Sequence, residues 1–471
     1  MPTVTPYDEV PYTGHPYADS HPERLATMAT LFGMQPAPVE RCRVLEIACG
    51  DGANLVPMAY ALPGSEFVGF DLAARPIEIG QRMTARLSLT NIALTQADLA
   101  EFPAGAGAFD YIIAHGLYSW IPAEARDRLL ALVARHLAPR GVAFVSYNVY
   151  PGCYVRRMVW EMLRFHTDHF GAPAERIAKA QALARLLAEG RIVEDSYTAL
   201  MKTELERFTA RDAGFLIHDD LAEVNEPVYF HEFAAHASGH RLQFLCEAEL
   251  VAMAYGGLAP EAKRVLDALD PLAREQYLDF AKCRRFRQTL LCHEGVAIER
   301  QLGPEKVPTF RLSARRRVQV GDPSAAPPLQ GDEALPQAML DALEDAAPGM
   351  LTLAELGARV PGSEGDYLRR LAWAAACAGA VQLHVHVPRL ARTPGERPVA
   401  SAVARVQLEH GETVTNLRHD AVKLDDEVVR RLLPLLDGTR DLAALAAALG
   451  QPPDAIEGRV RHLAKLALLV A

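Results

Sequence analysis

The stretch from Val44 to Leu72 constrains the fold of this chain more than any other. A short apolar run leads through a turn with Gly50 and Gly52 into a helical pattern, and a second apolar run ends on Asp71. The order is strand, turn, helix, strand. Glycines at such a turn let the backbone approach a ligand, and the helix start beyond it offers free N–H groups. Asp71 lies about 20 residues after the turn, where a nucleotide-binding βαβ unit places an acid on the ribose hydroxyls.

The turn itself reads Glu46-Ile-Ala48-Cys49-Gly50-Asp-Gly52. It resembles the acidic-x-Gly-Cys-Gly-x-Gly motif of class I S-adenosyl-L-methionine (AdoMet) methyltransferases, with Ala48 where that family usually has its first glycine. The resemblance implies AdoMet as cofactor. The residues that we predict to bind it are Tyr17, Glu46, Ala48, Cys49, Gly50, Gly52, Asn54, Asp71, Leu72, Asp98, Leu99 and His115.

Composition limits the remaining choices. Half of the 471 residues are hydrophobic and 23% are charged, which is typical of a globular protein with more than one domain. A net charge of −10 argues against nucleic acid as a partner. The seven cysteines are scattered without a CxxC pair, so we expect reduced thiols and no metal site. No secretory signal and no apolar run of about 18 residues is visible, which predicts a cytoplasmic protein without membrane insertion.

Strands and helices alternate as far as residue 150, which predicts a parallel sheet with helices on both faces. The predicted fold class is α/β: a Rossmann-like class I methyltransferase sheet with a helical insertion, followed by mostly α, winged-helix-like C-terminal modules. The predicted divisions are an N-terminal segment with the AdoMet domain (1–153), a helical insertion (154–212), a return to the sheet with a middle region (213–320), a winged-helix-like module (321–390) and a C-terminal helical module (391–471).

Shorter predictions concern the second half of the sheet and the linker. They are a strand at 228–230, a helix at 231–240, a strand at 242–245, a strand-like end at 295–298 after a helical stretch from 261, a Pro- and Gly-rich linker at 321–336 and a solvated basic run at 315–317.

Two segments allow more than one interpretation. Prolines at high density in residues 1–24 forbid a continuous helix, and the tyrosines there are consistent with an ordered tail or with a lid over the cofactor. The apolar stripe in 154–212 recurs at helical spacing, which is consistent with core packing or with a dimer surface.

Aromatic residues follow the fourth and fifth predicted strands, at the edge where such a sheet binds ligands. Methyl transfer from a sulfonium requires a neutral nucleophile in line with the methyl carbon, and an apolar pocket lowers the pKa of an amine. Aromatic faces also tolerate cationic methylated products. The residues that we predict to be catalytic are Tyr118, Trp120, Asn148 and Tyr150, and those predicted to bind the substrate are Tyr7, Tyr12 and Tyr147. The Asn/Asp-Pro-Pro-Tyr/Phe box of DNA-base methyltransferases is absent after the fourth strand, which argues against base methylation.

A narrower resemblance spans nearly the whole chain. Its motifs are Tyr7-Asp-Glu-Val-Pro-Tyr12, His21-Pro-Glu-Arg-Leu-Ala26, His115-Gly-Leu-Tyr118-Ser-Trp120-Ile-Pro122, Ser146-Tyr-Asn148-Val-Tyr150-Pro-Gly152 and Asn225-Glu-Pro-Val-Tyr-Phe-His-Glu-Phe233. They resemble bacterial methyltransferases with a methyltransferase regulatory domain, a group that includes the lysine methyltransferases of outer-membrane protein B. The resemblance implies a helical dimerisation insertion and a protein substrate with accessible lysines. A small-molecule methyltransferase and a non-catalytic AdoMet-binding regulatory protein stay open as alternatives.

Overall fold

The computed structural model describes residues 5–10, 12, 14–190, 193–315, 337–360 and 365–471. The predicted linker at 321–336 and two residues of the basic run, Arg316 and Arg317, lie outside the described residues. No helix within the described ranges combines the length and the apolar character needed to cross a membrane.

A seven-stranded mixed sheet organises the first 300 residues, with strand order β3-β2-β1-β4-β5-β7-β6. The strands are β1 (Arg43–Ile47), β2 (Glu66–Asp71), β3 (Ile92–Gln96), β4 (Phe109–Ala114), β5 (Leu137–Asn148), β6 (Leu242–Glu247) and β7 (Phe286–His293). The first five strands pair in parallel, whereas β7 runs antiparallel to both β5 and β6. The predicted parallel sheet is therefore extended by an antiparallel edge that the alternation of strands and helices did not indicate.

Helices cover both faces of this sheet. Before β6 they are α1 (Pro6–Glu9), α2 (Pro22–Leu31), α3 (Leu55–Ala61), α4 (Ala74–Arg86) and α5 (Ala123–His136), then the insertion helices α6 (Cys153–Thr167), α7 (Pro173–Glu189), α8 (Ser196–Thr209) and α9 (Ala213–Phe215), and α10 (Phe230–Gly239). One buried cluster joins the sheet to α2 and α3, and a second joins it to α5 and α10. The insertion helices have a separate core around Leu163, Ala184 and Leu205.

Two strand predictions in this region are wrong. Val228 makes only an isolated bridge to Val149, and α10 starts at Phe230 because the Glu232 carboxylate accepts the Tyr229 N–H at 2.8 Å. The last strand of the sheet is Phe286–His293 and not 295–298. Its buried Arg287 interrupts the apolar pattern from which a central strand is predicted.

The C-terminal part contains two small modules. The first has a three-stranded sheet, β10-β8-β9, and it shares its core with the face of the large sheet that carries α2. The second has its own core. Between β6 and β7 lie the helices α11 (Leu250–Met253), α12 (Pro260–Asp267) and α13 (Pro271–Lys282). The elements of the two modules are β8 (Arg311–Ala314), α14 (Gln337–Ala346), β9 (Leu351–Thr352), α15 (Leu353–Gly357), α16 (Asp366–Cys377), β10 (Val381–His384), α17 (Ala402–Gln407), β11 (Thr413–Thr415), β12 (Ala421–Lys423), α18 (Glu427–Leu432), α19 (Leu442–Leu449) and α20 (Pro453–Lys465).

Candidate active site

The turn after β1 is built from residues with left-handed backbone conformations. Ala48, Gly50 and Gly52 have φ angles of +58°, +55° and +72°. A Cβ added to Gly52 would lie 3.0 Å from the Leu94 side chain, whereas one added to Gly50 would meet nothing within 4 Å. Gly52 is therefore needed for packing, and Gly50 faces open space. Ala48 adopts its left-handed conformation at a cost of roughly 1–2 kcal/mol, which a glycine would avoid.

Asp71 holds this turn in place from the end of β2. Its Oδ2 accepts the Gly50 N–H at 2.9 Å, and its Oδ1 accepts the Ala73 N–H at 2.9 Å. Burial raises the pKa of this carboxyl, and the two N–H donors oppose that rise. Each carboxylate oxygen keeps a further lone pair, so Asp71 can accept hydrogen bonds from the hydroxyl groups of a ligand while it holds the turn.

Asn54 lies at the centre of a buried hydrogen-bond network behind the turn. Its Nδ2 donates to Glu46 Oε1 at 2.7 Å and to Ser20 Oγ at 3.0 Å. Its Oδ1 accepts from the Tyr17 N–H at 2.8 Å and lies 2.8 Å from Nε2 of His419. Because an amide oxygen only accepts, the His419 ring must carry its proton on Nε2. The C-terminal module thus contributes a side chain to this network.

Glu46 has an unsatisfied oxygen in this buried position. Its side chain is 4% exposed, and its Oε2 has no hydrogen-bond partner within the part of the chain that the structure describes. Burial raises the pKa of Glu46 to about 8. An unpaired carboxylate oxygen next to an open turn suits a ligand with a positively charged donor. AdoMet carries an ammonium and a sulfonium, so the residues present fit this cofactor.

The N-terminal segment crosses the turn and leads to the end of β4. A Cβ on Gly14 would lie 2.3 Å from Asp51 Oδ1, so segment and turn are in close contact. The Tyr17 ring packs on His115 with centroids 3.7 Å apart. Burial lowers the pKa of His115 to about 4, and its imidazole is therefore neutral at pH 7. The segment therefore packs directly on the turn, as both alternatives allow, and its function as a lid over the cofactor stays a prediction.

Tyr7 and Tyr12 attach the same segment to residues 215–218, which pack on the insertion helices. The Tyr7 ring stacks on His218 at 4.0 Å, and the Tyr12 ring meets Phe215 edge-on at 4.9 Å. Burial raises the pKa of both phenols, and Asp219 adds to this rise. These contacts show anchoring of the segment, and a role in substrate binding stays a prediction.

Two of the predicted aromatic residues lie in the core and not at the ligand-binding edge. Tyr147 is 1% exposed, stacks on Phe233 at 4.0 Å and bonds Thr289 through its hydroxyl at 2.9 Å. Tyr118 is 3% exposed, and its hydroxyl lies 2.8 Å from Nδ1 of His236. Contact of Tyr147 with a substrate, or of Tyr118 with the reacting atoms, is inconsistent with this burial. Tyr147 is buried because side chains alternate between the two faces of a strand, and its own side chain points toward α10.

The remaining predicted residues lie near the strand ends in different roles. Asn148 is buried, and its N–H donates to Ser119 Oγ at 2.9 Å. Asp98 caps the short helix Leu99–Glu101 by accepting the Ala100 N–H at 2.7 Å. Cys49 is buried beneath the turn, and burial raises its pKa. Leu72 is 45% exposed, and Trp120 is half-buried with the Arg156 guanidinium 5.8 Å from its ring.

Tyr150 packs in a cluster with three aromatic residues that are not among the predicted site residues. Its ring stacks on Tyr154 at 4.2 Å and lies 5.5 Å from Tyr229, which is in turn 6.1 Å from Phe280. We call these four residues the aromatic surface. Tyr154 is 53% exposed and Phe280 is 47% exposed. The sequence signal was weak, because Tyr154 begins the insertion and Phe280 belongs to a distant helix.

The aromatic surface borders an open cleft of about 620 Å³, which Tyr150 and Tyr154 line together with Arg126, Arg157 and Glu226. Phe286 lies on the side towards the cofactor turn. It pairs with Asn148 across β5 and β7, and its ring meets His115 edge-on at 6.3 Å.

Three family models match this chain in order. They are a methyltransferase domain (residues 44–141), a predicted methyltransferase regulatory domain (212–293) and the C-terminal winged helix domain of PKMT (396–459). The glycine turn, Asp71 and the order of β1 to β5 lie within or beside the first match. Fold and site therefore define a class I methyltransferase.

Relatives and solved structures narrow this class. An uncharacterised protein of Rickettsia prowazekii is 37% identical over 65% of this chain, and the chain spans 56% of that relative's length. A second one from the same organism is 33% identical over 48% of this chain and 91% of its own length. PKMT2 from Rickettsia typhi, solved in complex with AdoHcy, matches 98% of this chain and 100% of its own with a TM-score of 0.85 and 25% identity. The chain belongs to the family of AdoMet-dependent class I methyltransferases that carry a regulatory domain and a PKMT-type C-terminal winged helix.

Proposed function

We propose that this protein is an AdoMet-dependent N-methyltransferase that methylates lysine side chains of a protein substrate. The observation that carries the proposal is the full-length similarity to PKMT2 of R. typhi, a protein lysine methyltransferase, which covers nearly all of both chains. The extra modules after residue 300 are consistent with a macromolecular acceptor, since they provide surface beyond what a small molecule needs.

The cofactor residues each have a defined task in this proposal. Gly50 leaves space for the ligand beside the turn, and Asp71 accepts hydrogen bonds from the ribose hydroxyls. Glu46 offers its unpaired Oε2 to a positively charged group. When bound, AdoMet would supply the methyl group of its sulfonium: a neutral amine nitrogen would attack the methyl carbon in line, the C–S bond would break and AdoHcy would leave. Tyr17 and the N-terminal segment cover the site and exclude water.

The acceptor side in this proposal combines the aromatic rings of the cleft with the neutral polar groups at the strand ends, and charged side chains, among them Arg157 and Glu226, also line the cleft. Tyr150 and Tyr154 line the cleft, and aromatic ring faces bind the ammonium of lysine and of its methylated products. His115 is neutral at pH 7 and therefore does not repel a lysine that approaches the methyl group. Trp120, Asn148 and Tyr150 remain our candidates for orienting the amine after it has lost its proton.

Incubation of the protein with methyl-labelled AdoMet and cell extract tests the proposal. We expect the label in protein, stable to base and recovered as methyl-lysine after hydrolysis. Tyr154→Ala should reduce this label while AdoMet binding stays unchanged, and Tyr367→Ala, an equally exposed tyrosine in the module with α16, serves as control. Label only in small molecules would contradict the lysine proposal, and no transfer despite AdoMet binding would favour the regulatory alternative.

We also propose that the helical insertion mediates self-association. Its exposed apolar side chains include Phe165 (90% exposed) and Leu186 (65% exposed). Sedimentation of the full-length protein tests this, and a monomer at all concentrations would contradict it.

The raised pKa of Glu46 predicts that AdoMet binding releases a proton. Its pKa of about 8 means that it is mostly protonated at pH 7, and a nearby cation restores the ionised form. Below pH 8, binding must remove this proton, so AdoMet affinity should fall as the pH falls; above pH 8 this dependence disappears. Calorimetry at pH 7 in two buffers with different ionisation enthalpies should show release of up to about one proton. Glu46→Gln is the control, and equal enthalpies for the wild type in both buffers would contradict the prediction.

His419→Asn is predicted to weaken AdoMet binding from a distant module. Asparagine tolerates the left-handed conformation of residue 419 (φ +65°), but its shorter side chain loses the bond to Asn54. A net hydrogen bond contributes about 0.5–1.5 kcal/mol, so the affinity should fall by roughly two- to tenfold. Calorimetry measures this against His410→Asn, an exposed position in the same module. If both variants bind AdoMet equally, His419 only packs against the turn.

A further inference from the structure

Two histidines and an aspartate converge outside the candidate active site. His236 and His240 lie on one face at the end of α10, and Asp127 comes from α5. Nε2 of His240 lies 2.7 Å from Asp127 Oδ1, and Nε2 of His236 lies 3.4 Å from the same oxygen. Because Asp127 lies more than 100 positions from both histidines, no local motif predicts the complete cluster.

We propose that Asp127, His236 and His240 form a binding site for a divalent transition-metal ion, with Zn²⁺ as the best match. Two imidazole nitrogens and one carboxylate are a common three-ligand set for zinc, with water in the fourth position. Mg²⁺ and Ca²⁺ prefer oxygen ligands alone and fit this set poorly.

The distances permit an ion with little rearrangement. Ligand atoms about 2.0–2.2 Å from a tetrahedral zinc lie roughly 3.2–3.6 Å from one another. The separation between His236 and Asp127 already has this value. The Asp127 side chain is 64% exposed, so it can rotate away from His240 to admit the ion.

A buried tyrosine orients one of the ligands. Nδ1 of His236 lies 2.8 Å from the hydroxyl of Tyr118, whose side chain is 3% exposed. Metal-binding histidines commonly use their second nitrogen in this way, because the hydrogen bond fixes the ring and its tautomer. With an ion on Nε2, Nδ1 of His236 carries the ring proton and donates a hydrogen bond to the Tyr118 oxygen. This is a task for Tyr118 that does not require contact with the substrate.

A metal ion bound at this site would connect three elements of the fold. The ion would join α5 to α10 and, through Tyr118, to the short helix Tyr118–Trp120 that follows β4. We assign it a stabilising role, because methyl transfer requires no metal. The inference is independent of the proposed function.

Calorimetric titration of the chelator-treated full-length protein with Zn²⁺ tests the site. The experiment uses a Cys283→Ser background, because Cys283 is an exposed thiol and thiolates are zinc ligands. We expect one bound equivalent, loss of binding in His240→Ala, and roughly 10–100-fold weaker binding in Tyr118→Phe. His410→Ala, an exposed histidine in the C-terminal module, should bind like the background protein.

A second measurement separates a built site from chance binding. Co²⁺ in a tetrahedral site with nitrogen ligands gives strong visible absorption, which should appear in the background protein and disappear in Asp127→Asn. The asparagine keeps an acceptor oxygen for the histidines, so folding of this variant is not at risk, and thermal melting without metal checks it. Equal Zn²⁺ affinity in all variants would mean an adventitious ion only and would overturn the proposal, as would absence of binding in the background protein.

Discussion

Replacing Arg287 by alanine is expected to lower the free energy of unfolding by about 3–5 kcal/mol. The guanidinium is fully buried in β7 and lies within 3.1 Å of carboxylate oxygens of Glu247, Glu275 and Asp279. It also lies 4.0 Å from the centre of the Phe230 ring. Without it, three buried carboxylates lose their main counter-charge, because Arg284 reaches only two of them. Urea unfolding monitored by circular dichroism measures the difference.

A surface ion pair provides the control for this experiment. Arg264 and Glu261 form a close pair with side chains 74% and 75% exposed. Arg264→Ala should change stability by less than about 1 kcal/mol, because water screens such a pair. If Arg287→Ala is as mild as Arg264→Ala, the network around β7 does not hold this edge of the sheet.

Asp71→Ala is expected to weaken AdoMet binding by about 1.5–3 kcal/mol, roughly ten- to a hundredfold in affinity. The substitution removes an acceptor for the ribose and also releases the Gly50 N–H, which shapes the turn. Asp71→Asn keeps one acceptor oxygen, so we expect an intermediate loss. Calorimetry with AdoMet measures all three affinities.

Asp110→Ala is the matched control for Asp71→Ala. Asp110 also accepts a backbone N–H within the sheet, that of Arg43 at 2.8 Å, but at the opposite end of the strands. It should affect stability and leave AdoMet affinity unchanged. Equal AdoMet affinity in Asp71→Ala and wild type would mean that the βαβ unit does not bind the cofactor.

The parts of the molecule that depend on local patterns were predictable from the sequence. Alternating apolar runs and helical patterns indicate β1 to β5, and the glycine turn with Asp71 is contained in a single short stretch. The antiparallel strand β7 was not predictable in this way. Its buried Arg287 resembles a surface residue until Glu247, Glu275 and Asp279 are seen around it.

The site shows the same limit. Sequence placed Tyr118 and Tyr147 correctly at strand ends, but the face to which each side chain points depends on strand register and on α10. Tyr229 and Phe280 join Tyr150 only through tertiary packing. A residue that contacts the cofactor turn from the far end of the chain, such as His419, leaves no spacing signal at all.

The bond between His419 and Asn54 joins residues 365 positions apart. During synthesis the sheet and its glycine turn leave the ribosome long before the turn that carries His419, and domains generally fold in that order. A nascent chain can therefore hold a folded sheet whose cofactor pocket is still incomplete. Full affinity for the methyl donor is expected to arise only after the last module has docked, so that translation itself sets when the protein becomes competent.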